Sequence, residues 1–255
     1  LPSTPFSWTR DPVSFDLTYP DFFLAHEVAH QWWGQAVGWK NYHEQWLSEG
    51  LAQYFAVLYA GFDRGPETTA ALIGRMRDSS LSTSDDGPIF LGYRLGHLKA
   101  DGRVFRSVVY NKSAVVLHML RRLIGDDAFF GGLREFYETW RFRKAGTGDL
   151  RDIFARHASM SLDRFFDRWI VGSGIPRVRV RTRFEDAGRT AVVRVEQLGD
   201  VFDLPLAVAI QYADGRTEIR DIRIGEATSE HRLTLDQPAR RVEVRDNLTL
   251  ARLVR

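Results

Sequence analysis

The 255-residue chain is 44% hydrophobic and 27% charged, a balance that supports folded cores, two of them at this length, and excludes a disordered or fibrous protein. Its 35 Lys and Arg are interspersed with 33 Asp and Glu for a net charge of +2, so no basic tract argues for nucleic acid. Cysteine is absent, which removes disulfides, thiolate metal sites and a thiol nucleophile, and no apolar run has the length of a membrane span.

Residues 1–20 are rich in Pro, Ser and Thr and read as an extended arm. From Asp21, a residue suited to capping, apolar Phe22, Phe23, Leu24, Val28 and Ala29 predict a mostly buried helix. Leu47, Leu51, Phe55 and Leu58 recur at helical spacing and predict a second helix over residues 43–59, stopped by Gly61. Pro66 opens a third helix that ends near Ser80, before a long polar loop over residues 79–102 of a length that favours a functional role. Four further helices are predicted over residues 103–124, 126–139, 149–157 and 161–171, with Gly125 and Gly172 as stops.

After Gly174-Ile175-Pro176 the period changes to two: Val178 and Val180 alternate with Arg177, Arg179, Arg181 and Arg183. Further strands are predicted over residues 190–196, 206–212, 217–224, 231–235 and 241–245, separated by turn pairs such as Asp214-Gly215. Short strands at this spacing form a small antiparallel β-sandwich or barrel, so the chain divides into residues 1–172 and 173–255. The arginine alternation is read as a solvated strand face and not as an anion site.

Chemistry concentrates in His26-Glu27-Val28-Ala29-His30. On a helix, positions i and i+4 lie one turn apart on one face, so both imidazoles reach one ion. Zinc then needs a third protein ligand, and Glu49 on the next helix is the candidate; a His2Glu set leaves the fourth position for water, as in catalytic sites. Glu27, rotated by about 100 degrees around the helix, is placed to act as general base. The helix is otherwise apolar, so two histidines and a glutamate within it need partners.

The run His26-Glu27-Val28-Ala29-His30-Gln31-Trp32-Trp33-Gly34, followed by Trp46-Leu47-Ser48-Glu49-Gly50, resembles the gluzincin zinc aminopeptidases related to alanyl aminopeptidase and leukotriene hydrolase. Tyr110-Asn111-Lys112-Ser113-Ala114 resembles the family segment whose tyrosine hydrogen-bonds the oxyanion, and Phe165-Phe166-Asp167-Arg168-Trp169 with Gly174-Ile175-Pro176 resembles the junction to the family's β-sandwich. The resemblance implies an α+β chain: a mainly helical thermolysin-like zinc peptidase domain, then the small antiparallel β-sandwich domain. It implies one zinc ion held by His26, His30 and Glu49, with Glu27 as base and Tyr110 as oxyanion donor, and a peptide substrate cut at its N-terminal residue.

Two family features have no counterpart. The Gly-x-Met-Glu-Asn segment that anchors the substrate amine is absent, and residues before Asp21 are too few for the family's N-terminal domain and sheet lobe. The chain is therefore expected to be part of a longer protein whose N-terminal domain packs on it. Ala56 stands where many relatives carry an acid, leaving the outer partners of the histidines unassigned. Tyr93 and Arg94 resemble a loop near the cleft. Trp32 and Trp33 are expected to pack the zinc helix, and His43, His97, His118, His157 and His231 to be surface or satisfied core residues. A silent interaction scaffold and an endopeptidase on longer chains stay open as alternatives, and neither compartment, cytoplasmic or exported, is specified.

Overall fold

Helix α1 (Phe22–Ala29) buries Phe22, His26 and Ala29 and leaves Leu24, Glu27 and Val28 exposed in the computed structural model, which describes residues 19, 21–83, 86–92, 94 and 102–254. It is therefore buried on one face only, where its apolar content predicts burial almost all round. Asp21 stands at the N-cap position without a side-chain cap hydrogen bond. Trp33 packs against Phe55, Phe136 and Tyr137, as expected, whereas Trp32 is turned out and 47% exposed.

A short strand, β1 (Val37–Trp39), and a 3-10 turn (Tyr42–Glu44) lead into α2 (Trp46–Arg64). Gly61 does not stop this helix. A side chain there would collide with Thr69 Oγ1, so the glycine admits close packing of α3 (Pro66–Ser82), and the chain turns instead at Gly65, with φ +94°. The predicted loop after α3 contains a 3-10 turn at Ile89–Leu91; Arg94 is exposed, while Tyr93 and His97 lie outside the described residues.

The helix predicted over residues 103–124 is three segments: α4 (Gly102–Phe105), a π-helix (Arg106–Lys112) and α5 (Ser113–Ile124). A π-helix is uncommon and concentrates at functional sites. Helix α6 (Asp126–Trp140) follows, then β2 (Arg143–Ala145), which pairs in parallel with β1, and α7 (Thr147–Ala158). This two-stranded pair was not legible as period two because each strand has three residues. Buried Glu44 accepts the Thr147 amide hydrogen at 2.7 Å, placing a carboxylate at the α7 N-terminus, where the helix dipole favours it. Helix α8 (Asp163–Phe166) and a second π-helix (Asp167–Val171) close the helical part.

Seven strands follow in two sheets. One has the order β7 (Thr228–Thr234), β4 (Thr190–Leu198), β3 (Arg177–Glu185), β9 (Arg252–Val254); the other is β6 (Thr217–Ile224), β5 (Leu204–Tyr212), β8 (Ala239–Val244). Pairing is antiparallel except for β3 with β9, a strand that the pattern did not predict. Arginines of β3 face acids across the sheet, Arg179 to Glu196 and Arg183 to Glu230, each at 3.0 Å.

The helices and sheets share one continuous apolar interior. At their seam Arg122, at the end of α5, contacts Asp221 at 2.6 Å and buried Asp246 at 3.0 Å, and donates to Thr249 Oγ1 at 2.8 Å. Trp169 donates its indole hydrogen to the Asp203 carbonyl at 2.9 Å.

His118, near this seam, is buried with its Nδ1 3.2 Å from the Tyr54 hydroxyl. Burial first, then the charges of Arg122 and Arg121, lower its pKa to about 4. Its ordinary value, which the unfolded chain keeps, is 6.5, so as pH falls the unfolded chain takes up the proton first. Stability is expected to be full above pH 6.5 and to decline by up to about 3 kcal/mol down to pH 4. His118→Asn should flatten that part of the profile in urea unfolding at pH 7 and pH 4.5; an unchanged slope would contradict the assignment.

Candidate active site

His26, on the inner face of α1, and His30, at its C-cap with helical dihedrals, lie one turn apart, and Glu49 lies in the first turn of the antiparallel-packed α2. The fold brings all three together. His26 Nε2 and His30 Nε2 are 3.1 Å apart, and Glu49 Oε2 lies 3.6 Å from the first and 3.3 Å from the second. Ligands at about 2.05 Å from a tetrahedral zinc ion are separated by about 3.3 Å, so this triangle has the dimensions of one face of such a tetrahedron. Among the described residues, these three form the cluster of His and acid side chains able to hold a metal.

Electrostatics reflect the crowding. Burial alone would raise the Glu49 pKa, but the facing imidazoles of His26 and His30 outweigh it and hold the carboxyl at about 2. Burial would lower His30, but Glu49 and the Trp33 carbonyl outweigh that effect and raise it. The site thus keeps a carboxylate facing two imidazoles, the donor set that a divalent cation satisfies.

Tyr110 enters from the π-helix. Its ring stacks on His26 with centroids 5.8 Å apart, and burial followed by the charge and hydrogen bond of Glu49 raises its pKa, so the phenol keeps its proton at neutral pH. Gln53 sets this helix against α2 by donating to Asn111 Oδ1 at 3.0 Å, and just beyond it a side chain at Gly50 would collide with Ser113, the first residue of α5. Glu27 is exposed on the side of α1 turned away from the core, and its charge reaches both His30 and Tyr110.

Sequence reasoning left the outer partners of the histidines unassigned. His30 Nδ1 lies 2.9 Å from the Trp33 carbonyl and 3.1 Å from Ser48 Oγ, which itself donates to that carbonyl at 2.9 Å. The available signal was a serine beside Glu49 in an otherwise apolar stretch. Ala56 is fully buried and supplies no polar group. His43 bonds the Phe90 carbonyl, His157 pairs with Glu135 and His231 meets Ser229, so none of them joins the cluster.

With this geometry in place, a profile of the peptidase family M1 domain matches residues 21–169, more than half of the chain. The chain belongs to peptidase family M1. This M1 chain is 30% identical to aminopeptidase N of Lactococcus lactis over 167 residues, which are 61% of the chain and 19% of that protein. It is 26% identical to probable aminopeptidase 1 of Saccharolobus solfataricus over 243 residues, 89% of the chain and 30% of that protein. Among solved structures, aminopeptidase A of Legionella pneumophila superposes with a TM-score of 0.69 at 14% identity, covering 92% of the M1 chain and 27% of the larger one; this likeness shows the fold. The M1 chain thus spans well under half the length of these relatives.

Glu49→Ala is expected to abolish stoichiometric zinc retention, measured by elemental analysis after dialysis, with the helical circular dichroism preserved. Full retention would remove Glu49 from the candidate ligands.

Proposed function

We propose that the chain forms the catalytic part of a zinc-dependent aminopeptidase that hydrolyses peptide bonds and, in the full-length protein, releases N-terminal amino acids. The observation that carries this reading is the triangle of His26, His30 and Glu49, whose edges of 3.1, 3.3 and 3.6 Å fit a single tetrahedral ion. When bound, zinc supplies Lewis acidity, polarising a carbonyl and bringing the pKa of water towards about 7.

The remaining chemistry belongs to the side chains. Glu27 lies on α1 beside His26 but faces outward, where it would take a proton from the attacking water and return it to the leaving amine. Tyr110, protonated and stacked on His26, would donate a hydrogen bond to the oxygen of the tetrahedral intermediate. The helical part to residue 172 would carry this site, and residues 173–255 would form the sandwich domain, packed on it through a shared apolar interior. The apolar surface made by Leu24 and Val28 of α1 and by Trp32 beyond it, 59%, 48% and 47% exposed, would be where an N-terminal domain packs. No helix of the described residues is long and apolar enough to cross a membrane.

The test is hydrolysis of an aminoacyl-arylamide by the full-length protein. EDTA should abolish it and stoichiometric zinc restore it; turnover that survives complete metal removal would refute the mechanism. Tyr110→Phe should lower kcat by about 100-fold, on the order of 3 kcal/mol, the worth of one oxyanion donor. Glu27→Gln should lower kcat by about 100-fold or more with zinc still bound, as expected for a lost general base. Near-normal turnover in either variant would remove that residue from its role.

A further inference from the structure

Ser48 precedes Glu49 in sequence, yet its side chain serves the other ligand-bearing element. It is buried, 3% exposed, and its hydroxyl donates to the Trp33 carbonyl at 2.9 Å while lying 3.1 Å from His30 Nδ1. His30 Nδ1 is 2.9 Å from the same carbonyl. A carbonyl oxygen only accepts, so His30 must donate its Nδ1 hydrogen there, and its Nε2 is left to face His26 and Glu49.

The backbone is shaped around this arrangement. Gly34, directly after the carbonyl, adopts φ +121°, and a Cβ at that position would collide with Ser48 Oγ and lie 3.5 Å from His30 Nδ1. The turn is closed by Gly34 donating its amide hydrogen to the Val37 carbonyl at 2.9 Å. The carbonyl that orients His30 is therefore held from one side by the turn and from the other by a hydroxyl on α2.

We propose that Ser48 is a positioning residue that ties α2 to the end of α1 and, by fixing the Trp33 carbonyl, holds the His30 imidazole in its Nδ1–H form aimed at the metal position. The inference rests on the reading of His26, His30 and Glu49 as a zinc site. It adds a cross-link between two ligand-bearing segments: the residue beside one ligand sets the orientation of another. Outer partners of this kind typically change metal affinity by about 10–100-fold.

The experiment measures zinc release to a fluorescent chelator from wild-type, Ser48→Ala and Ser48→Thr full-length protein, together with the melting of each metal-free form. Ser48→Ala should release zinc about 10–100-fold faster with little change in the melting of the metal-free protein, and Ser48→Thr, which keeps the hydroxyl, should recover most of the loss. Wild-type protein that holds zinc, with an alanine variant that releases it equally slowly, overturns the role of Ser48 and leaves the zinc site standing. So does an alanine variant that only lowers the melting of the metal-free protein. Wild-type protein that retains no zinc overturns the site and this inference together.

Discussion

Two imidazoles and a carboxylate converging within 3.1 to 3.6 Å are an expensive arrangement for a protein without a cation among them. Each group loses water on burial, and only hydrogen bonds or a shared positive charge offset that loss. The surrounding fold reads as the means of holding this cluster in place. Helix α1 presents the histidines on one face, α2 returns against it to bring Glu49, and the π-helix lays Tyr110 on His26. Small residues stand where these elements cross, Gly34 beside Ser48 and Gly50 beside Ser113, and Gly61 beside Thr69 does the same for α3 against α2.

Rigidity around the site comes from buried polar bonds that join separate elements. Gln53 to Asn111 fixes α2 against the π-helix, Ser48 to Trp33 fixes α2 against the end of α1, and Glu44 to Thr147 fixes the segment before α2 against α7. Helix α2 is thus the common frame of the candidate ligands and the candidate oxyanion donor. The sheets attach farther away, through Arg122 with Asp221 and Asp246 and through Trp169 with Asp203, and contribute no side chain to the cluster.

Much of this was legible in the sequence because the relevant signals are local. The i, i+4 histidines fix their own relative placement on a helix, and β3, where valines alternate with arginines, announces itself by period two. What escaped depends on tertiary neighbours. Gly61 reads as a helix stop until α3 is seen to need its missing side chain, and the π-helix is invisible to a periodicity argument because seven residues with altered pitch barely disturb the apolar pattern. The exposure of Leu24, Val28 and Trp32 escapes for the related reason that apolar composition does not state which face is covered. Ser48 reads in sequence as part of a motif, since the partners of its hydroxyl lie 15 and 18 residues away.

The zinc K-edge X-ray absorption spectrum of the metal-loaded protein tests the central claim most directly. The account predicts one tightly held zinc ion per chain with two imidazole nitrogens at about 2.0–2.1 Å and oxygen ligands completing a four- or five-coordinate shell. A six-coordinate shell of oxygens without imidazole scattering would contradict it, because the ion would then not be held by His26 and His30.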